Sequence, residues 1–242
     1  MKFVKMSIIC LLIVGILCTW VYGDTSKKLP IYRVKLSADD MRIAITFDCA
    51  WGAQDIPDIL KILKSYDAKA TFFVLGIWAE KNPETMVAIV EAGHEVANHS
   101  YAHKNPTKLD KEGLTEEIVK CNEAIYAATG VNATLYRAPS GDYNDFVVTT
   151  AEELGFPTIQ WDVDSIDWKK EMSKEAIYER VVNRTTAGSI LLFHNDTQHT
   201  VAVLPDILQT LTEKGYESVT VSQLIYKDGY KIDATGEQQN IL

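Results

Sequence analysis

The stretch RIAITFDCAWG, from Arg42 to Gly52, opens with apolar and β-branched residues. It then breaks into an acid, a thiol, a small residue, an indole and a glycine. A short apolar run bounded by a turn signal reads as a buried strand, here Arg42 to Asp48. An acid at the very end of a core strand is seldom there for packing, because an unpaired carboxylate is costly to bury. Asp48 and its neighbour Cys49 are therefore the first candidates for chemistry.

Outward from this strand, six further β-rich runs follow: KATFFVL, HEVAN, ATLYRA, FPTIQWD, SILLFH and ESVTV. Stripes of helical period lie between them, such as Ile56, Ile59, Leu60 and Leu63, or Leu204, Ile207, Leu208 and Leu211. Asn82 followed by Pro83 reads as an N-cap and first turn. Gly93, Gly130, Gly155 and Gly215 each fall just past a helical pattern, where a left-handed C-cap is easiest for glycine. About seven alternations of strand and helix, with no low-complexity break, indicate a single α/β domain with parallel strands, open or barrel-like. The domain is expected over 35–230, with a linker over 24–34 and a loose polar tail over 231–242.

The chain has 242 residues and is 47% hydrophobic, enough for one large domain or two small ones with a full core. A formal charge of −9 argues against a nucleic-acid partner. Lys2 and Lys5 precede an apolar run from Met6 to Val21, and polar GDTSKK follows. That pattern describes a secretory signal over 1–23, with Val21 and Gly23 as small residues before a cut ahead of Asp24. An uncleaved N-terminal anchor is the alternative, although the run is short for a membrane span. Either reading places the domain outside the cytoplasm, secreted or at the outer face of the membrane and the cell wall. The membrane would be reached only through such an anchor, and a monomer is expected. Cys10 and Cys18 sit in the leading segment. Cys121 falls in a helical stripe with Leu114, Ile118 and Ile125 and reads as a small core residue, which leaves Cys49 without an obvious disulfide partner.

Reactive side chains gather at the C-terminal ends of the expected strands. Asp48 ends the first, Asn98 and His99 follow EVA, and Arg137 follows TLY. Asp162 follows TIQW, and His194 follows ILLF. In parallel α/β folds these ends share one rim, where sites form. His99 and His103 make an H-x-x-x-H pattern, which on a helical turn puts two imidazoles on one face, able to grip a metal ion. A third ligand would be needed, and a carboxylate or a thiolate would suit zinc. Arg137 could pair with Asp48 and keep it ionised. WDVDSIDW reads either as a solvated acidic loop or as the source of an acid that reaches His194 and makes it a general acid.

Taken together, TFDCAW, HSYAH, RAPSG, DVDSIDW and LLFH occur in the order of five motifs of the NodB-like polysaccharide deacetylases, metal-dependent carbohydrate esterases. The chain resembles this family from about Arg42 to Ile225, and the wording of FDCAWG, IQWDVDSIDW and LLFHND looks most like its sporulation-associated branch. The resemblance implies a distorted (β/α) barrel of about seven parallel strands. It also implies removal of N-acetyl groups from an amino-sugar polymer such as peptidoglycan or a chitin-like glycan. Carried over by motif, Asp48 is the general base, Arg137 holds it, His194 is the general acid and Asp167 tunes that histidine. His99 and His103 are the histidine ligands of a divalent metal, zinc first, with cobalt or nickel as alternatives. The backbone N–H of Ser140 falls at an oxyanion-donor position, and Trp51 and Trp168 could pack against sugar rings.

Two departures from the family pattern stand out. Cys49 occupies the place of the aspartate that usually completes the metal site, and Ser140 replaces an aromatic residue after RAP. A thiolate could serve as the third ligand. Without one, a catalytically impaired glycan-binding relative is the alternative. A glycoside hydrolase built on Asp162 and Asp164 is a third reading, but it leaves H-x-x-x-H and Arg137 without a role.

Overall fold

The computed structural model describes residues 27–242; the signal or anchor segment and its cysteines lie outside the described residues. The described chain begins with β1 (Arg33–Lys35) and β2 (Arg42–Cys49). Then come α1 (Ile56–Ser65), β3 (Ala70–Val74), α2 (Gly76–Lys81), α3 (Pro83–Glu91) and β4 (Glu95–Asn98). The middle of the chain holds α4 (Lys111–Thr129), α5 (Asp145–Glu153), β5 (Val163–Asp164) and α6 (Lys174–Arg184). It continues with β6 (Ile190–His194), α7 (Thr200–Glu213), β7 (Glu217–Val219) and α8 (Val221–Leu224), and ends with β8 (Tyr230–Ile232) and β9 (Glu237–Asn240). Among the described residues no helix is long and apolar enough to cross a membrane.

The main sheet runs β4-β3-β2-β6-β5, with β7 beside the start of β2, and every pairing in it is parallel. Two of the expected strands, ATLYRA and FPTIQWD, are nearly absent. They survive as isolated parallel bridges from Asn98 to Tyr136 and from Tyr136 to Thr158. Pro139 and Pro157 lack the N–H that a longer ladder needs at those points. The chain then runs from Thr158 to β5, which rejoins β6, so the sheet closes as a distorted barrel.

Period-two alternation sorts the barrel. Ile43, Ile45, Phe47 and Cys49 of β2 face outward and pack with α1 and α7 through Ile56, Ile59, Leu63, Leu204 and Ile207. Ala44, Phe73, Ala97, Leu135, Ile159 and Ile190 fill the inside. Each large side chain fully buried this way contributes about 1.5–3 kcal/mol. Cys121 lies in the core with its stripe on α4. The four glycines read as helix stops all have positive φ.

The linker and the loose tail are corrected. Ile31 and Val34 are fully buried, and the last residues form a three-stranded sheet in the order β1-β9-β8. The Ile31 N–H donates to Thr158 O at 2.9 Å and the Val34 N–H to Gly188 O at 2.9 Å, which ties this sheet to the barrel. Gly188 has φ +80, and a Cβ there would overlap the Val34 carbonyl. Gln238, buried, accepts from the Tyr226 N–H and donates to the Tyr226 carbonyl, both at 2.8 Å. The polar composition of the tail hid these pairings, because they are made by the backbone and by amide groups.

Candidate active site

The parallel register sets Asp48 on β2 directly beside His194 on β6. Both sit on the inward parity, where the barrel interior gives way to an open cleft of about 360 Å³. Asp48, His99, His103, Ser140, Asp164 and His194 border the cleft, with Trp51, Trp161 and Trp168 among its walls.

Asp48 is buried and held by two cationic or polar neighbours. Arg137 donates to its Oδ1 at 2.7 Å, and His99 Nε2 stands 3.5 Å from its Oδ2. Arg137 is itself wholly buried. It donates to Thr46 Oγ1 at 2.9 Å, Gln160 O at 3.2 Å and Ile159 O at 3.4 Å, with the guanidinium carbon 3.9 Å from the Phe73 ring centre. Burial pushes the Asp48 carboxyl up, but His99, Arg137 and His194 outweigh it and hold the group below the usual carboxylate range. Removing one partner of so buried a pair costs about 3–5 kcal/mol.

His194 has a second carboxylate behind it. Its Nδ1–H donates to Asp167 Oδ1 at 2.8 Å, and its backbone N–H donates to Oδ2 at 2.8 Å. Thr200, the first residue of α7, donates to the same Oδ2 at 2.6 Å. Burial pulls the His194 imidazole down, but the Asp167 hydrogen bond and charge, with Asp48 and Asp164, raise it above its ordinary value. The arrangement therefore offers an ionised carboxylate and a protonation-prone imidazole side by side. Those are the two partners that general base and general acid catalysis need.

The histidine pair is reached by a different local structure from the one expected. No helix carries it: residues 99–105 form a loop, in which Ser100 (φ 75) and His103 (φ 58) are left-handed. The two rings still converge, with centres 5.3 Å apart. His99 Nδ1 faces Arg137 O at 3.0 Å, and a carbonyl only accepts, so that nitrogen carries the proton and Nε2 looks into the site. Burial holds the His99 imidazole neutral, down to about 4.

Cys49 does not join them. Its sulfur lies in the outward-facing core, its side chain is fully buried, and burial pushes the thiol well above its ordinary value. Adjacent residues of a strand point to opposite faces, so a strand that aims Asp48 inward aims Cys49 away. Among the described residues no group of three His, Cys, Asp or Glu side chains is placed to hold a metal ion. Two imidazoles remain, one donor short of the three-ligand site that the family resemblance implies.

Asp162 also leaves the site. It accepts from Ser189 Oγ and the Ile190 N–H at 2.8 Å each and faces Arg33, which joins strands rather than binding a substrate. Asn98 is structural too, donating to Ile118 O at 2.8 Å. Trp51 and Trp168 are 54% and 50% exposed at the cleft, and the Trp51 ring centre lies 5.8 Å from that of His194. Ser140 is left-handed (φ 57), and its backbone N–H makes no hydrogen bond among the described residues. A larger cavity of about 460 Å³, lined by Ile31, Leu135, Phe156 and Tyr226, includes none of these groups. Two contributors were missed from sequence: Thr200, and Glu117 on α4, an acid within the apolar stripe of Leu114, Ile118 and Cys121.

The chain is similar in sequence and fold to several known proteins. Residues 35–159 match the family model described as polysaccharide deacetylase. A peptidoglycan-N-acetylglucosamine deacetylase of Listeria monocytogenes is 37% identical over 84% of this chain, although the chain spans only 42% of that relative's length. One of Bacillus cereus is 36% identical over 76% of this chain and 87% of its own. A solved CE4 family pseudoenzyme from Bacillus anthracis is 36% identical, with 81% of this chain and 68% of that one covered, at a TM-score of 0.76. A mutant of that pseudoenzyme with restored enzymatic activity is 37% identical, with 81% of this chain and 70% of that one covered, and also has a TM-score of 0.76.

Proposed function

The chain belongs to the polysaccharide deacetylase family, and on that premise we propose that it hydrolyses N-acetyl groups of an amino-sugar polymer in the cell wall, peptidoglycan first. The observation that carries this reading is the pair of buried couples, Asp48 with Arg137 and His194 with Asp167, side by side on one cleft. A binding surface has little use for both. In the proposed reaction Asp48 takes the proton of the attacking water, and His194, kept protonated by Asp167, gives one to the departing amine. The free Ser140 N–H faces the developing oxyanion, and Trp51 and Trp168 pack against sugar rings.

A second reading is favoured by one specific observation. Among the described residues the two histidines have no third metal donor, and a carboxylate held as low as Asp48 is by itself a weak base toward water. That reading is a glycan-binding relative with impaired catalysis.

The test is acetate release from N-acetylated peptidoglycan fragments and chitin oligosaccharides, with zinc, cobalt or nickel added in turn. The proposal expects acetate without new reducing ends, and loss of at least about 100-fold in Asp48→Asn. Glycan binding with no acetate under any of the metals would establish the second reading instead.

A further inference from the structure

The loop that carries His99 and His103 has little structure of its own, yet it puts the His99 ring beside Asp48 and the His103 ring against His99. Two of its residues are left-handed without being glycine, a conformation that persists only when surroundings over-determine it. No hydrogen bond fixes the His103 ring among the described residues, so its place is set by the backbone and by its edge-on contact with the His99 ring. What holds that backbone is therefore what places the ring.

Two elements hold it. On one side, the Gly76 and Ile77 N–H groups at the start of α2 donate to the Ser100 and Tyr101 carbonyls at 3.1 Å each. On the other side stands one carboxylate. Glu117 of α4 accepts from Ser100 Oγ at 2.7 Å and from the Ala102 N–H at 2.8 Å, both on Oε2, and Lys104 Nζ lies 2.9 Å from its Oε1. The next residue of the same helix takes part as well: Asn98 donates to Ile118 O and accepts from the Ser100 N–H at 2.9 Å. Glu117 is 2% exposed, in a helix whose neighbouring buried positions are apolar. A carboxylate so placed is costly unless its acceptor sites are filled, and the loop fills them.

We infer that Glu117 is the positioning residue for the two cleft histidines: it straps the loop at Ser100 and Ala102, beside the left-handed residues that aim the rings. It touches no reacting group itself. Because Ser100 and Ala102 share Oε2, a neutral amide can still accept both bonds through its oxygen. Lys104 itself is exposed, so its pair with Glu117 contributes little. The strap therefore depends on acceptor geometry more than on charge.

This separates the variants. Amide hydrogen exchange over the loop, read by mass spectrometry on the full chain, is expected to rise at least tenfold for Glu117→Ala and for Ser100→Ala to a lesser degree. It should stay near wild type for Glu117→Gln and Lys104→Ala. Should Glu117→Ala fail to fold, the Ser100→Ala and Glu117→Gln comparison still decides the matter. Unchanged loop exchange in both Glu117→Ala and Ser100→Ala, or a Glu117→Gln variant as loose as Glu117→Ala, would overturn the inference. Its consequence for catalysis rests on the proposed deacetylase activity: kcat for acetate release should fall in Glu117→Ala, recover in Glu117→Gln, and leave KM for the glycan nearly unchanged. A wild-type chain that releases no acetate would defeat the deacetylase reading alone, since the exchange measurement needs no activity.

Discussion

At the scale of single residues, neighbours in sequence can have opposite fates. Asp48 faces the cleft and Cys49 the core, although the pair suggested a shared role as base and ligand. The signal that separates them was present: Ile43, Ile45, Phe47 and Cys49 share one parity, and Ala44, Thr46 and Asp48 the other. Cys49→Ala is therefore expected to leave acetate release and its metal requirement within about twofold, and to lose roughly 1–2 kcal/mol of stability from the space left in the core. Loss of the metal response in that variant would show that the sulfur does reach an ion. His194 gives a second test. Its imidazole is raised against burial by Asp167, so the charged form persists above the ordinary histidine range and is lost as pH rises through the raised value. The stability this pair adds is likewise full below the ordinary value and disappears through the same window. In Asp167→Asn the counter-charge is gone and burial dominates, so the alkaline limb of the kcat profile should move to lower pH. An unmoved limb would mean that another group sets it. Strand-end chemistry made Asp48, Arg137 and His194 legible in the sequence, whereas Glu117 and Thr200 act through hydrogen bonds to groups distant in sequence, which spacing does not reveal.

At the scale of elements, the long and periodic segments were readable and the short ones were not. α4 and α7 follow their apolar stripes, and β2, β3 and β6 follow their apolar runs. ATLYRA and FPTIQWD have the same composition but shrink to single bridges, since prolines interrupt the donors a ladder needs. H-x-x-x-H suggested a helical turn, yet its two rings meet through left-handed backbone that only the neighbouring helices specify. The packing of α2 on α4 is one of those specifications. A Cβ on Gly76 would overlap the edge of the Tyr101 ring and stand 3.0 Å from the Cys121 Cα. Within a helix, Gly to Ala ordinarily gains about 0.5–1 kcal/mol. Here the backbone of α4 blocks the methyl group, so Gly76→Ala should instead lose about 1–3 kcal/mol, read as a lower urea midpoint. A rise in the midpoint would show that the two helices have room to part.

At the scale of the whole molecule, the boundary of the folding unit lies further out than composition suggests. Residues 24–34 and 231–242 look dispensable because they are polar and lie outside the alternating pattern. The structure uses residues 31–34 and 237–240 to close the barrel where its own strands are shortest. Ile31 lies against Thr158 and Gln160, Val34 against Gly188, and Gln238 clasps Tyr226. A chain trimmed to 35–230 would lose two fully buried aliphatic side chains, about 1.5–3 kcal/mol each, and leave the Tyr226 backbone without its partner, about 1–3 kcal/mol more. Against a typical total of about 5–15 kcal/mol, that loss leaves the trimmed chain close to its unfolding midpoint at room temperature. The prediction compares 27–242 with 35–230 in urea. Matching midpoints would show that the three-stranded sheet merely lies on the surface; a large drop would show that it closes the barrel on which the cleft depends.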